Sequence, residues 1–233
     1  MDRNLKWNTT KNHKNKHIMN KILFIDILTT GTNPQKCGIY AIGGILCEDS
    51  VAKMKEIKKF EYRLRPFDGA RIVDNSLWLG GVTRSHLLYY KKENEVLDAF
   101  MEMLSECIKL SNPEDKVFIS GFNSAAFDMP FLKEWFERNG NKRFRDCFHM
   151  QPIDLLCMSA YALMSERHTM REFNLVSVSR KLGVISRTGE TYSCIDNVET
   201  CVKIYRKLKD ILKTGSYGEY EETDEIITNF TRK

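Results

Sequence analysis

Two aspartates end or begin apolar elements in a way that suits metal chemistry. Asp26 closes a β-prone run and is followed by turn residues in FIDILTTGTNP (24–34). Asp128 opens a helix in GFNSAAFDMPFL (121–132). A third group, YSCIDNV (192–198), offers Tyr192, Asp196 and Asn197. Carboxylates are the hard oxygen ligands that Mg²⁺ and Mn²⁺ prefer. A pair of such ions about 3.5–4 Å apart activates water and relieves charge on a leaving oxygen in phosphodiester hydrolysis. At strand spacing residues 26 and 28 share a face. The second of them is Leu28, which cannot coordinate a metal.

The elements that must carry these residues follow from periodicity. KILFIDI (21–27), GIYAIGGILCE (38–48) and KKFEYRLRPF (58–67) read as three strands of an antiparallel meander, the last stopped by Pro66. Residues 93–110 place Val96, Leu97, Phe100, Met103, Leu104 and Ile108 at helical spacing, and Asn112-Pro113 ends that helix. KVFISGFN (116–123) is a buried strand, followed by a helix with Pro130 in its first turn and Gly140 at its end. Asp154 caps a helix reaching Met164, Leu175–Leu182 closes at Gly183, and Asp196–Leu212 is the last long helix. Three strands and then alternating helix and strand argue for a mixed α/β sheet with helices packed on it.

The order and spacing of these segments resemble the DEDDh family of 3′–5′ exonucleases over roughly residues 20–212. FID-x-x-TTGTNP with IYAIGGI resembles the family's first motif and second strand. SLWLGGVT (76–83) is similar to the stretch where the family usually carries I-x-G-I-T, and N-x-x-x-F-D-x-x-F-L within 121–132 to its second motif. NLVSVSRKLGV (174–184) resembles the helix before the third motif, and YSCIDNVETCVKIY (192–205) occupies the place of that motif. The resemblance implies a ribonuclease-H-like fold, a mixed five-stranded sheet flanked by helices, and an exonuclease-like domain over 19–213. It also implies that Thr29, Thr30, Gly31, Asn123 and Phe127, which flank the carboxylates, line a nucleic-acid groove.

In that family two first-strand carboxylates, one on each of two later helices, and a histidine acting as general base form the site. Asp26 and Asp128 match two of these, and Leu28 replaces a third. In one register Tyr192 replaces the histidine and Asn197 the last aspartate. In the other, Tyr192 and Asp196 resemble the sister DEDDy branch, in which a tyrosine orients the water. The amphipathic pattern favours the first, because positions 196 and 197 lie about 100° apart on a helix. The leading expectation is a catalytically degenerate protein that binds nucleic acid or serves as an accessory subunit beside a polymerase or another replication or repair protein. The alternatives are an active divergent 3′–5′ exonuclease using Asp26, Asp128, Asp196 and Tyr192 with Mg²⁺ or Mn²⁺, and a protein-interaction module with no nucleic-acid role.

With 233 residues the chain has room for one domain. It has no apolar run long enough to span a membrane and no apolar N-terminal signal, and its seven unpatterned cysteines suit a reducing cytoplasm. The net charge of +5 is uneven. Residues 1–18 read as a basic disordered tail, with Met19 a possible true start, and 214–233 as an acidic one. Trp78, Trp135, Tyr89 and Tyr90 read as core or surface aromatics, with Trp135 a base-stacking candidate if a cleft is open.

Overall fold

A computed structural model describes residues 20–50, 53–184 and 193–214. The chain opens with β1 (Asn20–Thr29), β2 (Ile39–Asp49) and β3 (Met54–Arg65), an antiparallel meander as the alternation requires. Two short helices, α1 (Asp74–Leu79) and α2 (Arg84–Leu87), precede β4 (Lys91–Lys92) and α3 (Glu93–Cys107). Then come β5 (Val117–Gly121), α4 (Asp128–Arg138), α5 (Phe144–Cys147), β6 (Ile153–Asp154) and α6 (Leu155–Ala162). A 3₁₀ turn over Met164–Thr169, α7 (Leu175–Lys181) and α8 (Cys194–Thr214) complete the described chain.

The sheet has six strands in the order β4-β3-β2-β1-β5-β6, not five. β4 and β6 are two-residue strands that pair parallel with the ends of β3 and β5. Segments so short carry no period of their own. Their state is set by the neighbour they pair with.

Alternation on β1 divides the core. Leu23, Ile25 and Ile27 pack with Phe100, Trp135 and Phe136 of α3 and α4 on one face. Ile22 and Phe24 pack with Val198, Cys201 and Tyr205 of α8 on the other. Asp26 and Leu28 continue that second row, so the functional end of β1 faces α8. Trp135 is fully buried and its indole N–H donates to the Glu93 carbonyl at 3.1 Å, so it is a core residue rather than a stacking platform. Trp78 and Tyr89 are exposed. No helix among the described residues is long and apolar enough to cross a membrane. The two expected tails and Tyr192 lie outside the described residues.

Candidate functional site

Asp26 reaches the site because β1 outruns β5. Their parallel pairing ends at Phe24↔Ser120, and the backbone beyond is free to meet α4. The Asp128 carboxylate, in the first turn of α4, accepts from the backbone N–H of Ile27 and from its own. This ties the second aspartate to the residue next to the first. Arg138, at the other end of α4, donates to the Pro34 carbonyl at 3.3 Å and so fixes that helix against the loop following β1.

The third element is α8. Gly43 pairs with Asp26 across the β1–β2 ladder, and a side chain there would come within 2.7 Å of the Cys194 Cβ. The bare backbone of Gly43 therefore lets the first turn of α8 lie directly on the sheet beside Asp26. The far end of α8 is held by the Tyr205 hydroxyl, which donates to Asp49 Oδ2 at 2.8 Å, and by Lys209 on the same carboxylate. With its rotation fixed at both ends, the helix presents Asn197. Its carboxamide Nδ2 donates to Asp26 Oδ2 at 3.2 Å. The Cys194 thiol, one turn earlier and buried, is a second hydrogen-bond partner of Asp26. Asp196 does not enter this group. Its charge is felt by Lys59 of β3, which pairs with Glu199.

Leu28 shares the face of Asp26 but belongs to a small apolar cluster with Tyr40, Leu77 and Leu87. Its Cδ1 lies 3.1 Å from where a side chain on Gly80 would begin, so the segment after α1 closes over it.

The electrostatics follow from this crowding. Burial pushes Asp26 up to about 7, against the lowering effect of the Asn197 and Cys194 hydrogen bonds. Burial, then the Asp26 charge, holds Asp128 well above the usual carboxylate range. Two carboxylates this close in a poorly hydrated place cannot both ionise without a compensating cation. A two-ion centre needs more anionic oxygens than two carboxylates and one carboxamide supply. Among the described residues no group of three or more His, Cys, Asp or Glu side chains is arranged to hold a metal. Among the described residues, Asp26, Asp128 and Asn197 alone do not supply the ligands of a two-metal centre.

An exonuclease family model, of the ribonuclease T type, matches residues 23–184. The chain belongs to the exonuclease family. Ribonuclease T of Shewanella frigidimarina is 25% identical over 184 residues, covering 78% of each protein. The crystal structure of E. coli exonuclease I in complex with a dT13 oligonucleotide superposes with a TM-score of 0.65 at 18% identity, over 85% of this chain and 43% of that one. The zinc-ion-bound E. coli exonuclease I–ssDNA complex gives 0.62 at 18% identity, over 84% and 43%. At such identities the likeness is one of fold, and this chain spans less than half of the exonuclease I chains.

The remaining expected residues of this exonuclease-family chain build the loops around the site. Thr30 is fully buried. Its hydroxyl donates to the Arg71 carbonyl at 2.7 Å and accepts from the Gly38 N–H at 3.0 Å. Thr29 donates to the Gly31 carbonyl at 2.7 Å, and Gly31 leaves room for Cys37, whose Sγ a side chain there would approach to 2.7 Å. These three residues shape the turn from inside rather than line an open groove. Asn123 is exposed at φ +67°, in the left-handed region that Asn tolerates. Phe127 is partly buried, with its ring 5.2 Å from that of Phe131.

One residue exceeds its expected role. Asp154 caps α6 by accepting from the Leu156 N–H at 2.9 Å, as its position suggests. It also accepts from the N–H groups of Asn123, at 3.1 Å, and Ala125, at 2.9 Å. The loop that delivers Asp128 is thus wound around a buried carboxylate. A cavity of about 460 Å³ opens beside it, lined by Asn33, Pro34, Ala125, Met129, Phe144 and Met150.

Proposed function

We propose that this chain is a catalytically degenerate exonuclease of the DEDDh type, which binds a single-stranded nucleic-acid end without cutting it. The observation that carries this reading is the contact between Asn197 and Asp26. An amide N–H stands against the carboxylate at 3.2 Å, where the third-motif resemblance would put another metal-binding acid. Leu28, packed into hydrocarbon, supports the same conclusion from the strand side. The cavity between the loop after β1 and the start of α4 supports retained binding, since apolar Pro34, Met129 and Phe144 share its lining with polar Asn33, Gln35 and Lys133. Single-stranded DNA, bound by the E. coli exonuclease I structures, is the first ligand to test. An accessory role beside a replication or repair enzyme would follow from binding without hydrolysis. An active site built on Asp196 draws no support from the contacts of α8, in which Asn197 rather than Asp196 meets Asp26.

The test is a labelled oligothymidylate with the full chain and excess Mn²⁺ or Mg²⁺. Binding by fluorescence anisotropy with no nucleotide release at high protein is the expected result. Release that Asp26→Ala abolishes would overturn the reading in favour of a working exonuclease.

A further inference from the structure

A second concavity, of about 510 Å³, lies between the Met164–Thr169 turn and α7. Arg171, Arg180 and Lys181 line it with Thr169, Ser177 and one carboxylate, Glu172. Its walls are built. Lys181 pairs with Glu166 across the two elements. Arg167 donates to the Met170 carbonyl at 3.0 Å and lies 5.0 Å over the Phe173 ring. Asn174 and Ser177 cap α7 reciprocally, and Glu172 accepts from the Asn174 carboxamide at 2.8 Å.

These bonds engage Lys181 and Glu172 but leave two guanidiniums. Arg171 and Arg180 are exposed and make no ion pair with any described residue. Two like charges in one concavity repel unless an anion joins them, and the planar guanidinium fork matches phosphate oxygens. Val178 and Leu182 pack with the face of α8 that follows Asn197, so this concavity and the site belong to one packed unit.

We infer that the Arg171–Arg180 concavity binds backbone phosphates of single-stranded nucleic acid. It is a second, electrostatic contact for a strand whose end occupies the site. The inference rests on the chain being a single-strand binder, and it adds where the strand's charge is met.

Anisotropy of a labelled oligothymidylate over a salt series, with the full chain, tests it. Arg171→Ala/Arg180→Ala is expected to weaken binding about tenfold or more at low salt. It should also reduce the slope of log affinity against log salt by about 1.4, from two contacts at about 0.7 each. Arg171→Lys/Arg180→Lys keeps the charges and should keep the slope. An alanine variant that matches the wild type in affinity and slope overturns this site while leaving the proposed function standing. A wild type that binds no strand overturns both. Inorganic phosphate that shifts the arginine Nε–H resonances, with strand affinity indifferent to the alanine variant, marks a free-phosphate site and overturns the strand assignment.

Discussion

The Asn197 carboxamide donates to Asp26 Oδ2 at 3.2 Å, and that contact joins the last helix to the first strand where Asp26 and Asp128 converge. It lowers the Asp26 pKa against the larger, opposing effect of burial. Asn197→Ala should therefore raise the Asp26 pKa above its present value of about 7. Carboxyl ¹³C titration by NMR reads this directly. An unchanged or lower value would mean that the amide is not a partner of Asp26 in solution.

Stability should depend on pH through the same group. In metal-free buffer the unfolded chain releases the Asp26 proton near 3.8, whereas the folded chain keeps it to about 7. Between those values the folded state binds more protons. This contribution to stability is full below the lower value and declines as pH rises through the window. Urea unfolding of wild type and Asp26→Asn across pH 4 to 7 isolates it. The wild type should lose stability relative to the variant as pH rises, and a constant difference would show that Asp26 titrates normally.

Gly43→Ala should displace the first turn of α8. The added Cβ would stand 2.7 Å from the Cys194 Cβ and 3.1 Å from its backbone, which has little freedom to retreat. A cost of about 1–3 kcal/mol is expected for such overpacking. The amide signals of Cys194 and Asn197 should shift with it. Wild-type stability and unmoved signals would contradict the close seating of α8 on β2.

Asp154→Ala removes the acceptor for three backbone N–H groups and should destabilise by roughly 3 kcal/mol or more. Asp154→Asn keeps Oδ1, which serves Asn123 and Leu156, and loses only the Oδ2 bond to Ala125. It should cost about half as much or less. Equal costs for the two variants would mean that Asp154 acts by charge rather than as a spool for the loop.

These particulars mark how far the sequence could be read. β1, β2 and β3 announce themselves by alternation and by the turn residues after Asp26, and α4 by Pro130 and by Gly140 at φ +68°. β4 and β6 do not, because each exists only through its register with a longer strand. The choice between Asp196 and Asn197 depends on helix phase. Amphipathicity favours Asn197, but what seats it beside Asp26, Gly43 admitting Cys194, lies some 150 residues away in sequence. Asp154 was legible as a cap and not as the anchor of 123–125, since that loop reaches it only after β5 and β6 pair. The packing of Leu28 against Leu77 and Leu87 needs α1 and α2 folded beside it, which strand alternation alone does not convey.

The most direct test of the proposed degeneracy is calorimetric titration of Mn²⁺ into the full chain, beside Leu28→Glu/Asn197→Asp and Asp26→Ala/Asp128→Ala variants. No saturable binding by the wild type up to millimolar metal, with binding gained in the Glu/Asp variant, is the expected result. Tight wild-type binding that the double-alanine variant loses would contradict the account and return the chain to the working exonucleases.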